Sequence, residues 1–182
     1  MRNIDDPSHD SRHPWNGPAG RWVIIRTRSR HEKILANRIQ TRNGVMFLPF
    51  EKVRRRYGGL DATVECPLFT GILFFKGDAP CLTDPELARC ISAIEDVPNQ
   101  DQLAQELKSI AIAIDRGVPL RPHAYLRQTL DVEIISGPLT RSRAVVPQIE
   151  TSHPLLLQIS AAQLAFEVMD EFEIRPIKPA PR

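Results

Sequence analysis

Residues 22–32 read WVIIRTRSRHE, an apolar run that gives way to a charged stretch. The first four side chains, Trp22–Ile25, are aromatic or β-branched, which predicts a buried strand. Ser29 and Glu32 stand at the spacing of a capping box, in which the serine hydroxyl accepts from the amide three residues on and the glutamate reaches back. This stretch therefore predicts a strand that is followed at once by a helix.

The sequence beyond this helix predicts further strands. Two extended segments flank Gly58-Gly59 and predict a β-hairpin with basic residues near its tip. Residues 68–75, LFTGILFF, are the most hydrophobic run of the chain and predict a central strand. The glycine within that run, Gly71, indicates a bulge or a close approach of other atoms.

Helix signals return in the middle of the chain. Residues 83–86, TDPE, form a second capping box, and Leu87, Ile91 and Ile94 follow at helical spacing. This pattern predicts a second helix through these residues, and the apolar periodicity of residues 99–114 predicts a third. The first part of the chain is therefore expected to be mixed α and β.

Prolines and glycines divide the chain. Residues 1–20 lack apolar periodicity and are expected to form a flexible tail. We expect a first domain at 21–115 and a linker at 116–124, where two prolines and a glycine prohibit regular structure. Residues 125–182 contain five short alternating segments separated by turns, which is typical of a small closed β-barrel. The predicted fold class is α+β.

The composition is that of a folded globular protein, with 42% hydrophobic and 25% charged residues. The three cysteines, Cys66, Cys81 and Cys90, form no CxxC pair and have no histidine at zinc-ligand spacing, which favours free thiols in a reducing compartment. No apolar run approaches the roughly 20 residues that cross a bilayer, and the N-terminus lacks a secretory pattern. We therefore expect a cytoplasmic protein with no membrane partner, metal or cofactor.

Charge is segregated along the chain, although the formal net charge is only +2. Residues 21–60 hold eleven basic residues against two acidic ones, a net charge of +9, whereas residues 61–119 hold four bases against ten acids. A basic segment of this kind fits either contact with a polyanion or a merely solvated face. Charge alone leaves these two interpretations equally open.

Three stretches of this sequence resemble the NusG family of transcription factors. Residues 22–32 are similar to the family's opening strand and first helix, W-Y-V-x-R-T-x-x-x-x-E. Residues 68–74, LFTGILF, resemble its L-F-P-G-Y-[LIV]-F strand, and residues 132–139, VEIISGPL, resemble the KOW signature V-x-I-x-x-G-P-[FL]. The three stretches occur in the family's order.

The resemblance implies a fold and a set of partners. It implies an N-terminal NGN-like α/β sandwich, with an antiparallel sheet flanked by helices, joined to a small C-terminal KOW/SH3-like β-barrel. The first domain would bind the clamp of RNA polymerase and touch upstream or non-template DNA. The barrel would recruit a ribosomal protein or a termination factor. Thr70, Ile72 and Ala144 depart from the family's motifs, which favours a divergent paralogue that acts in operon-specific antitermination.

The resemblance and the charge pattern together give candidate site residues. Basic side chains of the first helix and the hairpin are expected to bind nucleic acid with release of counterions. These candidates are Arg28, Arg30, His31, Lys33, Arg54, Arg55 and Arg56. The candidates for a polymerase-binding patch are Phe47, Phe69, Ile72 and Phe74. An apolar strand residue is more often core than interface, which weighs against each of these four.

Two other functions fit parts of the sequence. A KOW-type RNA- or ribosome-binding module would bind RNA through residues 125–182 and use the first domain only as a scaffold. An enzyme is disfavoured, since the sequence contains no G-x-x-x-x-G-K-[ST], G-x-S-x-G or H-E-x-x-H motif. Asp115 and Glu133 have no recognisable partner for general acid–base work. We therefore expect a binding protein and not an enzyme.

Overall fold

The computed structural model describes residues 20–42, 44–77, 84–148 and 154–177. These residues fall into two compact units, an N-terminal unit that ends at Pro98 and a C-terminal unit that begins at Asn99. Apart from Gly20, the predicted tail lies outside the described residues, and so does Cys81.

The N-terminal unit consists of a four-stranded antiparallel sheet, a separate hairpin and two helices. Its elements are β1 (Trp22–Thr27), α1 (Glu32–Thr41), β2 (Val45–Phe47), β3 (Phe50–Tyr57), β4 (Leu60–Pro67), β5 (Ile72–Lys76), α2 (Pro85–Ala88) and β6 (Ile91–Asp96). The sheet has the order β2-β5-β1-β6, and β3 pairs with β4 in a two-stranded ribbon. The two interior strands are β1, which confirms the first strand prediction, and β5, which takes up only the second half of the apolar run 68–75 because residues 68–71 form a turn.

The helices cover one face of the four-stranded sheet. Side chains alternate along a strand, so Val23, Ile25, Leu73 and Phe75 share one face of β1 and β5. They form a single buried cluster with the apolar side of α1 and with Leu87 of α2. Burial of each large apolar side chain contributes about 1.5–3 kcal/mol, and this stripe therefore holds both helices on the sheet.

The first helix begins differently from the predicted capping box. α1 starts after His31, whose side chain makes no capping bond. The chain turns at Arg30 with a φ of 63°, and the carboxylate of Glu32 accepts from the amide of Gly71 at 2.8 Å. The capping role predicted for Ser29 is therefore wrong, because Glu32 has a tertiary partner in place of a local one.

The second helix is shorter than predicted. It spans only Pro85–Ala88, with Asp84 as the N-cap. Ile91 and Ile94, which were predicted on the helix, lie in β6, where Ile94 stands opposite Ile25 of β1. A spacing of three residues fits a helix, but pairing with β1 supplies the backbone bonds of a strand, and the tertiary context decides.

The C-terminal unit consists of one helix and a six-stranded antiparallel sheet. Its elements are α3 (Gln100–Asp115), β7 (Leu120–His123), β8 (Thr129–Ile134), β9 (Arg143–Pro147), β10 (Leu156–Ile159), β11 (Leu164–Val168) and β12 (Ile174–Pro176). The sheet order is β12-β8-β9-β10-β11-β7. Val132, Leu157 and Phe166 are buried on its inner face. A C-terminal β-sheet domain is therefore confirmed.

The division between the units differs from the predicted domain boundary. The predicted first domain, 21–115, and second domain, 125–182, stay predictions; among the compact units α3 belongs to the C-terminal one, and β7, within the predicted linker 116–124, pairs with β11. Pro122 is tolerated in β7 because this is an end strand, and its outer side needs no amide donor. The helix predicted from residues 99–114 is itself confirmed as α3.

Polar contacts join α3 to two of the turns that connect the strands of the sheet. The carboxylate of Glu106 accepts from the amide of Ser160 at 3.0 Å, from its hydroxyl at 2.6 Å and from the side chain of Gln102 at 2.9 Å. At the C-terminal end of α3, the guanidinium of Arg116 donates to the carbonyl of Pro138 in the turn between β8 and β9. Burial raises the pKa of Glu106 above its ordinary value, because the charged form loses water, and these hydrogen bonds offset the effect only in part.

We predict that acid stabilises the C-terminal unit through Glu106. Because the pKa is higher in the folded chain, the folded state binds the proton more tightly than the unfolded state. This stabilisation is fully present below the ordinary pKa of 4.5 and is lost as the pH rises through the folded value. Urea unfolding of the native chain and of Glu106→Gln, between about pH 4 and pH 7, measures it. The free energy of unfolding of the native chain relative to Glu106→Gln should rise as the pH falls, and a flat or opposite trend contradicts this.

Candidate nucleic-acid interface

The turn between β1 and α1 is held against the turn before β5. The amide of Thr27 donates to the carbonyl of Gly71 at 3.0 Å, and the buried carboxylate of Glu32 accepts from the Gly71 amide at 2.8 Å. Gly71 has a φ of +73°, a left-handed conformation that a side chain would strain. It therefore lies in a turn and not in a strand, and its two bonds fix the chain on both sides of residues 28–31.

This turn presents two arginines to solvent. The amide of Arg28 donates to the carbonyl of Cys90 at 2.8 Å, and the amide of His31 donates to the carbonyl of Arg28 at 3.0 Å. Arg30 has a φ of 63°, a left-handed conformation that costs a non-glycine residue about 1–2 kcal/mol. Neither guanidinium forms an ion pair within the described residues. Both residues are exposed.

The hairpin of β3 and β4 carries three exposed arginines. Gly58 and Gly59 have φ values of 56° and 90°, as a tight two-residue hairpin turn requires, which confirms the predicted turn. The cross-strand pairs are Arg54 with Thr63, Arg55 with Ala62, and Arg56 with Asp61. Only Arg56 thus has a carboxylate directly opposite, and the part of the chain that the structure describes offers none of the three an ion pair. Arg55 projects from the other face of the ribbon.

Lys33 and His31, which were also predicted to bind nucleic acid, make contacts within the protein. The Nζ of Lys33 donates to the carbonyl of Glu65 at 2.7 Å and lies 5.1 Å from the ring centroid of Phe50, within the range of a cation–π interaction. His31 is half-buried, and its Nδ1 lies 2.9 Å from the carbonyl oxygen of Ser29. Residue patterns did not indicate these contacts, because two of the partners are main-chain carbonyls.

The four candidates for polymerase binding are buried. The rings of Phe69 and Phe74 lie 5.4 Å apart in an edge-to-face arrangement, and Phe47 lies 6.0 Å from Phe69. Phe47 stands opposite Phe74 in the sheet, and Ile72 precedes Phe74 by two residues, so these three share the face turned away from α1. The structure thus places these residues in the interior and not on an exposed patch.

Charge distinguishes the two units. Residues 20–98 contain 13 lysines and arginines against 9 acidic residues, whereas residues 99–182 contain 9 against 10. The C-terminal unit has a groove of about 580 Å³ between the first turns of α3 and strands β8 to β10. Its charged lining consists of Asp101, Glu106, Asp131, Arg127 and Arg143. With three carboxylates against two arginines, this groove does not favour a polyanion, whereas the arginines of the N-terminal unit do.

The described residues were also searched for metal sites, reactive cysteines and membrane-spanning helices. None of their histidine, cysteine, aspartate and glutamate side chains form a group of three that could hold a metal ion. Cys66 is half-buried and Cys90 is buried, and both are free thiols. None of the helices in the described ranges is long and apolar enough to cross a bilayer.

Comparison with known proteins identifies the family. The sequence pattern of NusG, described as a transcription termination factor, matches residues 20–113, just over half of the chain. No curated protein matches the sequence. A solved structure described as "Domain interaction in Thermotoga maritima NusG" has 16% identity, covers 87% of this chain and 97% of its own, and gives a TM-score of 0.45. The family match alone spans every element from β1 to β6, and the chain therefore belongs to the NusG family of transcription factors.

Proposed function

We propose that this protein binds the clamp of RNA polymerase as an elongation factor and contacts upstream or non-template DNA through its N-terminal unit. The observation that carries the DNA contact is a set of exposed arginines that lack an ion pair within the described ranges. We call this set the basic surface; it comprises Arg28, Arg30, Arg54, Arg55 and Arg56. Arginine guanidinium groups match phosphate geometry, and binding releases counterions from DNA.

Family membership supports RNA polymerase as the main partner. For the contact we propose the sheet face that carries Phe47 and Phe74, since α1 and α2 cover the opposite face. Phe69 and Ile72 pack near these two side chains and belong to the same proposed contact. Because all four are buried in the free chain, the proposal requires that they become exposed when polymerase binds.

We further propose that the factor acts in antitermination on a restricted set of operons. Support comes from Thr70, Ile72 and Ala144, which depart from the motifs of the family. The C-terminal sheet would then recruit a ribosomal protein or a termination factor. The expected cytoplasmic location belongs to the same proposal, since the transcribing polymerase is found there.

The main alternative is an RNA- or ribosome-binding role for the C-terminal unit. Residues 99–182 carry 9 bases against 10 acids, so a polyanion gains little electrostatic free energy there. The groove beside α3 has more carboxylates than arginines and adds to this disadvantage. The two proposals predict nucleic-acid binding in different units of the chain, and matched arginine substitutions distinguish them.

We predict that the triple substitution Arg54→Ala, Arg55→Ala and Arg56→Ala weakens duplex DNA binding and its salt dependence. Each lost phosphate contact should lower the slope of log K against log salt by about 0.9. The matched control replaces Arg121, Arg127 and Arg143 of the C-terminal unit, which removes the same charge. Fluorescence anisotropy over a salt series measures both variants. The DNA-contact proposal fails if the control loses as much affinity as the hairpin variant.

We predict that Arg30→Gly separates stability from DNA binding. Glycine relieves the left-handed backbone of residue 30 and should stabilise the chain by up to about 1 kcal/mol, while the loss of one phosphate contact weakens DNA binding several-fold. Arg30→Lys keeps both the charge and the strained backbone and serves as the control. Thermal unfolding and DNA titration measure the two effects. Unchanged DNA affinity in Arg30→Gly would show that Arg30 does not contact DNA.

We predict that the full chain associates with core RNA polymerase at moderate salt and changes the lifetime of transcriptional pauses. Co-purification with core polymerase and a single-round transcription assay measure these effects. The triple hairpin variant should still co-purify, because the proposed polymerase contact is apolar, but its effect on pausing should be reduced. Absence of both association and any change in pausing would refute the role in elongation.

A further inference from the structure

The orientation of the β3–β4 hairpin depends on its root, the end of the ribbon at which Phe50 pairs with Pro67. The hairpin forms a two-stranded sheet of its own, separate from the four-stranded sheet. A two-stranded hairpin is marginally stable in water unless another element packs against it. Arginines at its far end therefore hold a defined position only if the root is fixed to the body of the unit.

A backbone hydrogen bond joins the two chain segments at the root of the hairpin. The amide of Leu68, just after β4, donates to the carbonyl of Pro49, just before β3, at 2.9 Å. Phe50 and Pro67 form the first cross-strand pair of the ribbon. These contacts join the two strands to each other, but they leave open the angle between the ribbon and the helix beside it.

Lys33 of α1 supplies a contact between the helix and both strands of the root. Its ammonium donates to the carbonyl of Glu65 on β4 at 2.7 Å and lies 5.1 Å from the ring centroid of Phe50 on β3. We call these three residues the hairpin joint. In a two-stranded ribbon half of the carbonyls point away from the partner strand, and an ammonium can bind one of them without disturbing the ladder.

We propose that Lys33 is a positioning residue, which sets the direction of the hairpin and does not itself bind a phosphate. With one hydrogen bond to β4 and one cation–π contact to β3, it holds Arg54, Arg55 and Arg56 in a fixed relation to Arg28 and Arg30. The basic surface then meets DNA as one preorganised set. This step rests on the DNA contact proposed above, whereas the joint itself can be tested without DNA.

Hydrogen exchange of the free, full-length chain tests the joint. Lys33→Met keeps the aliphatic stem and removes the ammonium, and it should speed amide exchange in β3 and β4 by roughly five- to tenfold. Lys33→Arg keeps a cation and its donors and should restore most of the protection. Arg89→Met, at an exposed arginine that follows α2, removes the same charge and should leave the hairpin unchanged. Equal hairpin exchange in the native chain and Lys33→Met would overturn the proposal.

A double-mutant cycle tests how Lys33 acts on DNA binding. In the native background, Lys33→Met should lower duplex DNA affinity roughly fivefold, because the arginines lose their fixed position. In the Arg54→Ala, Arg55→Ala, Arg56→Ala background, the same substitution should cost almost nothing. A direct phosphate contact by Lys33 would cost the same factor in both backgrounds, and that result overturns the proposal.

The two experiments keep failure of the joint apart from failure of the DNA contact. If the native chain binds no DNA but hairpin exchange rises in Lys33→Met, the joint stands and the proposed DNA contact falls. If DNA binds and exchange does not change, the joint falls alone.

Discussion

The surface of the N-terminal unit depends on the two hydrogen bonds made by the peptide groups of Gly71. The carbonyl of this residue receives the Thr27 amide at the end of β1, and its amide donates to Glu32 at the start of α1. The four residues between these anchors have little freedom left, and two of them are the arginines of the turn. The same turn leads into α1, whose Lys33 contacts Glu65 and Phe50 of the hairpin, so the proposed hairpin joint extends this constraint to the hairpin arginines.

The residues of the basic surface contribute little to the stability of the free chain. Arg30 occupies a strained backbone conformation, and the hairpin arginines are exposed without ion pairs among the described residues. Elsewhere in the same unit, charges are neutralised internally: Arg26 pairs with Glu95 at 2.8 Å, and Arg42 with Asp84 at 2.6 Å. The strained backbone of Arg30 supports a ligand for the basic surface, since such strain is found most often at binding and active sites.

Sequence-based predictions of secondary structure were correct where the local residue pattern agrees with the strand pairing in the folded protein. Gly58-Gly59 determines the hairpin by its own backbone freedom, and the apolar runs of β1 and β5 have no stable place outside a sheet. Ile94 was wrongly predicted on a helix, because an apolar residue three positions after another is compatible with a helix as well as with a strand. The predicted capping role of Glu32 and the predicted nucleic-acid contact of Lys33 did not anticipate their contacts in the structure. Their partners are a glycine amide and a main-chain carbonyl, which residue patterns do not indicate. Burial of the phenylalanines depends on packing that spacing does not reveal.

Photocrosslinking from the hairpin reports directly whether the basic surface contacts DNA. A photoreactive amino acid at position 55, placed in the full chain and bound to a polymerase elongation complex, reports what lies beside the basic surface. If the hairpin arginines contact DNA, the probe forms crosslinks to the upstream duplex or the non-template strand, and high salt abolishes them. Crosslinks only to protein, or crosslinks to RNA from a probe at position 127 and none to DNA from position 55, would contradict it.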